Sequence, residues 1–337
     1  MGKGFSVGEE AWRTGLGALR QVVRQELVTR QLAAHLTAGH PMRVLDVGCG
    51  QGTQVLALAR AGHAVTGVDS SATLLGDLET ALAAETASVR DRVRPVHGEA
   101  ERLADLVPSQ EFDAVLCHGV LMYFADPAPL LTAVAAAVAP GGFASLLVRN
   151  GDALAMRPGL LGHWPTAQRA FDDMSYGNRI GVTARADRLA DLTGLLAERG
   201  LSVDSWYGVR VFTDTIPSDA PVPGEQELAV LLDCEERAGS TDPYRGVAYH
   251  EVSAGGPEDV AKAAAAATAV SSGAGSAKYI STPWHKTTSK SRAGTKSASR
   301  SATPCTSRTR SRTSAVWPAS AVSRSPSSVA DESSAVT

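Results

Sequence analysis

Apolar positions follow two different periods along the first 254 residues. Between 11 and 36, Leu16, Leu19, Val22, Val23, Leu27 and Leu32 recur at helical spacing, which predicts one or two helices. Short, largely apolar runs follow at 43–47, 64–68, 112–118 and 143–148, each of strand length, with a further short strand at 93–97. Helical patterns separate them at about 51–61, 72–85 and 129–138, and Pro140-Gly141-Gly142 reads as a turn. Strands alternating with helices at this interval predict an α/β fold with a doubly wound, mostly parallel sheet. After Asn150 the pattern loosens. Residues 156–179 mix Pro, Gly and aromatics without a period, the pattern of a lid or insertion over the sheet. A helical pattern returns at 185–199. Two β-like runs, 205–212 and 246–252, flank a helix at about 225–238 and predict an antiparallel hairpin at the sheet edge.

From 255 onward Ala, Ser, Thr and Arg dominate and no period is sustained. Such a composition cannot bury enough apolar surface to offset chain entropy, which predicts a disordered basic tail at 255–337 after one domain at 1–254. Charge divides at the same place. The tail holds eleven Lys/Arg and four Asp/Glu, and the preceding 254 residues hold 21 basic and 31 acidic residues. The domain is therefore at about −10 and the tail at about +7. Four cysteines share no metal-ligand spacing, no run reaches membrane-span length, and the N-terminus lacks the layout of a signal peptide. A soluble cytoplasmic protein without a metal is the expectation.

The chemistry begins where the first strand ends. Val44-Leu45-Asp46-Val47-Gly48-Cys49-Gly50-Gln51-Gly52 closes an apolar run on an acid and then spaces three glycines at alternate positions before a helical pattern. This is the syntax of a strand, a tight turn and a helix N-terminus in a nucleotide-binding domain. Asp69 follows 23 residues after Asp46 at the end of the second strand, where a carboxylate can accept both hydrogen bonds of a ribose diol. Ser70 and Ser71 are positioned to cap the next helix. An acid ahead of the glycines repels a pyrophosphate and tolerates a cation.

Phe112-Asp113-Ala114-Val115-Leu116-Cys117-His118, Leu121 to Pro127 and Val138-Ala139-Pro140-Gly141-Gly142 complete an order of segments that resembles class I S-adenosylmethionine-dependent methyltransferases. Further stretches narrow the likeness: Gly15 to Arg20, Cys117 to Leu121, Arg149-Asn150-Gly151, Gly208 to Asp214 and Tyr244 to His250. With them, residues 15–254 resemble the bacterial tRNA 5-carboxymethoxyuridine methyltransferase family, which esterifies a wobble-uridine carboxylate. The resemblance implies a Rossmann-like fold, S-adenosyl-L-methionine as cofactor, and contacts to it from Arg20, Gly48, Cys49, Asp69, Ala100, Glu101 and His118. Asp46, Gly50 and Ser70, in the same turns, join that set.

Several of these residues have an ordinary reading beside the functional one. Arg20 suits either the cofactor's carboxylate or a helix surface, and His118 either the site or the core. Cys49 reads as a small buried residue rather than a reactive thiol. Arg210 stands in an apolar β-like run, where an unpaired guanidinium is costly. It either pairs with an internal acid such as Asp214 or meets an anionic acceptor, for which a planar fork is suited. With Tyr123 and Arg149 it forms the expected acceptor set. The acceptor is tRNA or a small carboxylate metabolite; Arg149, Arg157, Arg169, Arg179, Arg185 and Arg188 are the candidate basic patch for RNA. A non-catalytic binding module is the remaining alternative. A carboxylate is already ionised at neutral pH, so no catalytic base is expected.

Overall fold

The computed structural model describes residues 5–256, apart from 16, 37–39 and 218. They fall in one compact unit, Met1–Ser276. The expected low-complexity tail lies, beyond 256, outside the described residues. The strands are β1 (Arg43–Val47), β2 (Ala64–Asp69), β3 (Val93–His97), β4 (Phe112–His118), β5 (Val138–Val148), β6 (Ser175–Gly177), β7 (Thr183–Arg185), β8 (Ser202–Val209) and β9 (Tyr249–Gly255). Seven form one sheet in the order β3-β2-β1-β4-β5-β9-β8. Neighbours from β3 to β5 are parallel, whereas β9 runs antiparallel to both β5 and β8. The expected edge hairpin is present, with its later strand on the inside.

Val44, Leu45, Asp46 and Val47 are all buried because β1 is central and covered on both faces. Strand periodicity then sorts them. Val44 packs with Val23, Leu27, Val55 and Leu78 on one side, and Leu45 and Val47 pack with Leu131, Val134 and Leu196 on the other. The N-terminal pattern resolves into two helices, α1 (Phe5–Thr14) and α2 (Leu19–His35), with Leu19, Val23, Leu27 and Leu32 as the buried stripe of α2. After β1 comes α3 (Thr53–Arg60), and after β2 comes α4 (Ala72–Ala83), capped by the Ser71 hydroxyl accepting from the Leu74 N–H at 3.1 Å.

Three expectations are revised. Pro140-Gly141-Gly142 is not a turn between elements but lies within β5, as an irregularity where pairing passes from Phe112↔Val138 to Ala114↔Phe143. Residues 156–179 are not irregular throughout: they include helices Met156–Leu160 and Trp164–Arg169, and β6 pairs with β7. The run at 205–212 ends as a strand at Val209, so Arg210 lies in a turn rather than in the sheet. Apolar content predicted the strand, but backbone geometry ends it one residue before the arginine.

Candidate active site

The sheet order reverses between β1 and β4, and a crevice at the carboxyl ends of the strands follows from that topology. A cavity of about 240 Å³ occupies it. Its floor is the glycine turn. The Val68 carbonyl accepts from the Gly48 and Cys49 N–H groups at 2.8 and 3.1 Å, which folds the turn back onto β2. Gly52 has φ +80°, and a Cβ there would come within 2.3 Å of Leu78, so a side chain is excluded twice over. Asp69 locks the same turn: its two oxygens accept from Gly50 N and Ser71 N, each at 2.8 Å.

Asp46 is 4% exposed, lines the cavity and receives no hydrogen bond from a described residue. Burial, and then the neighbouring Asp69 charge, push its carboxyl up to about 7, against the pull of Arg24. A cation brought to this wall would relieve that strain. At the end of β4, His118 Nε2 lies 2.8 Å from Ser145 Oγ, which donates to Glu251 at 2.5 Å. Burial, and then Arg24, hold the imidazole down at about 3, so it is neutral. The Cys49 thiol is pushed up by burial and stays protonated.

The opposite wall is cationic. Asp214 receives Arg20 Nη2 at 2.6 Å, Arg149 Nη1 at 3.0 Å, Arg210 Nη2 at 3.4 Å and Arg157 Nε at 4.0 Å. Burial raises the Asp214 carboxyl, but Arg210 and Arg149 outweigh it and hold it below the usual range. One carboxylate thus faces four guanidinium groups. The Tyr249 ring stands between two of them, 4.7 Å from Arg149 and 4.5 Å from Arg210. Arg20, Arg149 and Arg210 each keep a buried Nε without a hydrogen-bond partner. Buried orphan donors are costly, and an anion in the cavity would satisfy them. Arg210 itself has φ +66°, a rare backbone state for a side chain of this size.

The cavity is covered from two directions. Trp12 of α1 donates to Gln51 Oε1 at 3.2 Å, and Arg13 anchors that helix to Asp77 of α4 at 2.7 Å. From the other side the β6–β7 hairpin supplies Tyr176, Asn178 and Arg179, with Asn178 donating to the Tyr123 hydroxyl at 3.2 Å.

A methyltransferase domain model matches residues 45–146. The tRNA 5-carboxymethoxyuridine methyltransferase of Escherichia coli O157:H7 is 30% identical over 234 residues, covering 68% of this chain and 85% of that protein. The chain belongs to the S-adenosylmethionine-dependent methyltransferases. A ubiquinone biosynthesis O-methyltransferase of Dinoroseobacter shibae is 35% identical over 167 residues, 45% of this chain and 64% of that protein. Among solved structures, an S-adenosylmethionine-dependent methyltransferase of Mesorhizobium loti is similar with a TM-score of 0.49 at 20% identity, covering 67% of this chain and 96% of that chain.

The methyltransferase cavity fits its cofactor chemically. An acidic wall with an unpaired carboxylate suits a sulfonium and an ammonium, and orphan guanidinium nitrogens suit a carboxylate. Of the residues named from sequence, Arg20, Asp46, Gly48, Cys49, Gly50, Asp69, His118, Tyr123, Arg149 and Arg210 line this one cavity. Ser70, Ala100 and Glu101 are not among its lining residues. The Ser70 carbonyl meets His97 Nε2 at 3.0 Å, Ala100 is buried, and Glu101 is exposed on the 3-10 turn Ala100–Arg102. Among the described residues no cluster fit for a metal is found, and no helix is long and apolar enough to cross a membrane.

Sequence reasoning missed Trp12, Arg24 and Asn178 as cavity residues and Tyr249 as the spacer between two arginines. Arg24 shares its helical stripe with Arg20, a spacing of four that was available as a signal. Nothing local marked the others.

Proposed function

We propose that this methyltransferase esterifies a carboxylate, that of 5-carboxymethoxyuridine at the tRNA wobble position. The observation that carries the reading is the arginine wall: Arg20, Arg149 and Arg210 line the same cavity as the acidic glycine turn, and each has a buried Nε without a hydrogen-bond partner. Asp46, Gly48, Cys49, Gly50, Asp69 and His118 are assigned to the cofactor, with Ser70, Ala100 and Glu101 left at its margin. Arg20 is assigned to the cofactor's carboxylate, and Arg210, Arg149 and Tyr123 to the acceptor. S-adenosylmethionine, when bound, supplies a methyl group already activated on sulfur. Arg210 and Arg149 then orient the acceptor carboxylate, and Trp12 and the β6–β7 hairpin exclude water around it. No base is needed, since the carboxylate is ionised at neutral pH.

The closest support for an RNA acceptor is likeness to the E. coli enzyme over 85% of its length. A specific observation favours the second reading, a small carboxylic acid. Of the expected basic patch, Arg149, Arg157 and Arg179 line the cavity, while Arg185 pairs with Asp187 at 2.8 Å and Arg188 with Asp152 at 3.7 Å. That leaves Arg169, exposed and bonded only to Thr166 Oγ1 at 3.4 Å, for phosphates. Mass spectrometry of wobble uridines from a deletion strain decides. Accumulation of unesterified 5-carboxymethoxyuridine is expected, and an unchanged nucleoside profile transfers the assignment to a small acid.

Asp46 makes cofactor binding pH-dependent. Its carboxyl titrates at about 7, and a bound cation favours the ionised form. Affinity for S-adenosylmethionine should therefore be full above about pH 8 and fall by about tenfold toward pH 6, as the carboxylate takes up its proton. Calorimetry across that range checks it, and Asp46→Asn is expected to bind weakly with no slope there.

A further inference from the structure

Beneath the arginine wall lies a buried carboxylate that the chemistry above does not use. Glu235, on the helix Glu225–Gly239, is 0% exposed. Its Oε2 accepts from Val211 N at 2.7 Å, and its Oε1 accepts from Phe212 N at 3.1 Å and Thr213 N at 2.8 Å. Three successive backbone N–H groups converge on one side chain, the arrangement by which a short turn binds an anion. The turn they belong to begins at Arg210, which lines the cavity, and ends at Asp214, with which Arg210 pairs at 3.4 Å. No backbone ladder holds this segment, because β8 stops at Val209.

The helix can reach the turn because it lies almost against β8. A Cβ on Gly239 would come within 2.3 Å of the Gly208 carbonyl oxygen. That approach places Glu235 one helical turn earlier, under the loop that leaves the strand. Arg210 needs such support. A left-handed backbone carries a cost at a long side chain and persists only where its surroundings impose it. Charge-assisted bonds to three consecutive amides exceed that cost.

We infer that Glu235 is a positioning residue: it clamps the 211–213 amides so that Arg210 is held in its left-handed conformation with its guanidinium in the cavity. The inference rests on the reading of Arg210 as the acceptor's partner. It adds that acceptor recognition depends on a side chain that never touches the acceptor. The cofactor contacts at the ends of β1, β2 and β4 lie outside the clamped turn, and Arg20, the remaining cofactor residue, meets that turn through Asp214 at 2.6 Å.

The test uses the full chain with Glu235→Gln, which retains shape but supplies one acceptor oxygen in place of two. Glu235→Asp, which retains charge on a shorter arm, replaces it should the first variant not fold. Amide hydrogen exchange at 211–213 should accelerate at least about tenfold while exchange in β1 and β4 stays unchanged. With tRNA bearing 5-carboxymethoxyuridine, KM should rise about tenfold at a nearly constant kcat, and S-adenosylmethionine affinity should stay within about twofold. In an Arg210→Ala background the same substitution should add nothing to KM, which a merely structural role would not produce. Unchanged exchange, or an equal rise in KM in both backgrounds, overturns the inference. If the wild-type enzyme leaves that RNA unmethylated, the acceptor reading fails on its own, and the exchange measurement decides the clamp without it.

Discussion

Arg210→Ala is expected to raise the acceptor KM about 100-fold, the worth of a charge-assisted pair of up to about 3 kcal/mol. Affinity for S-adenosylmethionine should stay within about twofold, because the glycine turn and Asp69 do not touch Arg210 and Arg20 keeps its own pair with Asp214 at 2.6 Å. Steady-state kinetics with calorimetry separates the two effects. Arg210→Lys keeps the charge but loses the fork, so it should recover part of the loss and not all of it. Kinetics unchanged in the alanine variant would remove Arg210 from the acceptor set. A stability measurement gives an independent view of the same residue. With φ at +66°, glycine at this position should fold more stably than alanine by about 1 kcal/mol. The enzyme keeps an arginine where the backbone favours glycine, which is the pattern of strain held at a working site.

The second large effect lies at Asp214. Removing it leaves four guanidinium groups around a gap, three of them nine-tenths buried, with no carboxylate among them. Breaking a buried pair from one side costs about 3–5 kcal/mol, because the uncompensated charges remain. For a domain of this size each kcal/mol lowers Tm by about 2–4 °C, so Asp214→Ala should melt about 10 °C lower. Calorimetric scans of the two proteins check this. The pH behaviour has a definite sign. The carboxyl is held below its ordinary value, so its stabilisation is present above the unfolded pKa of about 4 and is lost as pH falls through the lower folded value. The wild-type advantage over Asp214→Ala should therefore be constant at neutral pH and shrink only in acid. A variant that melts with the wild type would mean that the arginines are solvated in the free enzyme.

The sheet was largely legible in the chain because its strands are buried on both faces. Runs such as 43–47 and 112–118 are apolar but for Arg43, Asp46, Asp113 and His118, and they fold as β1 and β4 with those bounds. The glycine turn was legible for a related reason: only residues without a side chain can pass Leu78 at positive φ, so the backbone requirement is written in residue type. Pro140-Gly141-Gly142 was misread because residue type marks irregular backbone without saying whether the strand stops there. Tyr207 to Phe212 was misread because apolar content does not reveal where a ladder loses its partner.

Residue type and spacing thus carried the α/β topology, the acidic nucleotide turn and the choice of Arg210 as the odd cation in an apolar run. They did not carry the site. Arg20 converges on Asp214 from one distant part of the chain and Arg149 and Arg157 from another, and Glu235 reaches the Arg210 turn from a helix with an otherwise ordinary acidic face. Local propensities act over a few residues, whereas electrostatic pairing acts across space between groups that the fold has already brought together. Until the helix Glu225–Gly239 packs on β8 and α2 packs on the sheet, each of these charges is only one more polar position on its own element.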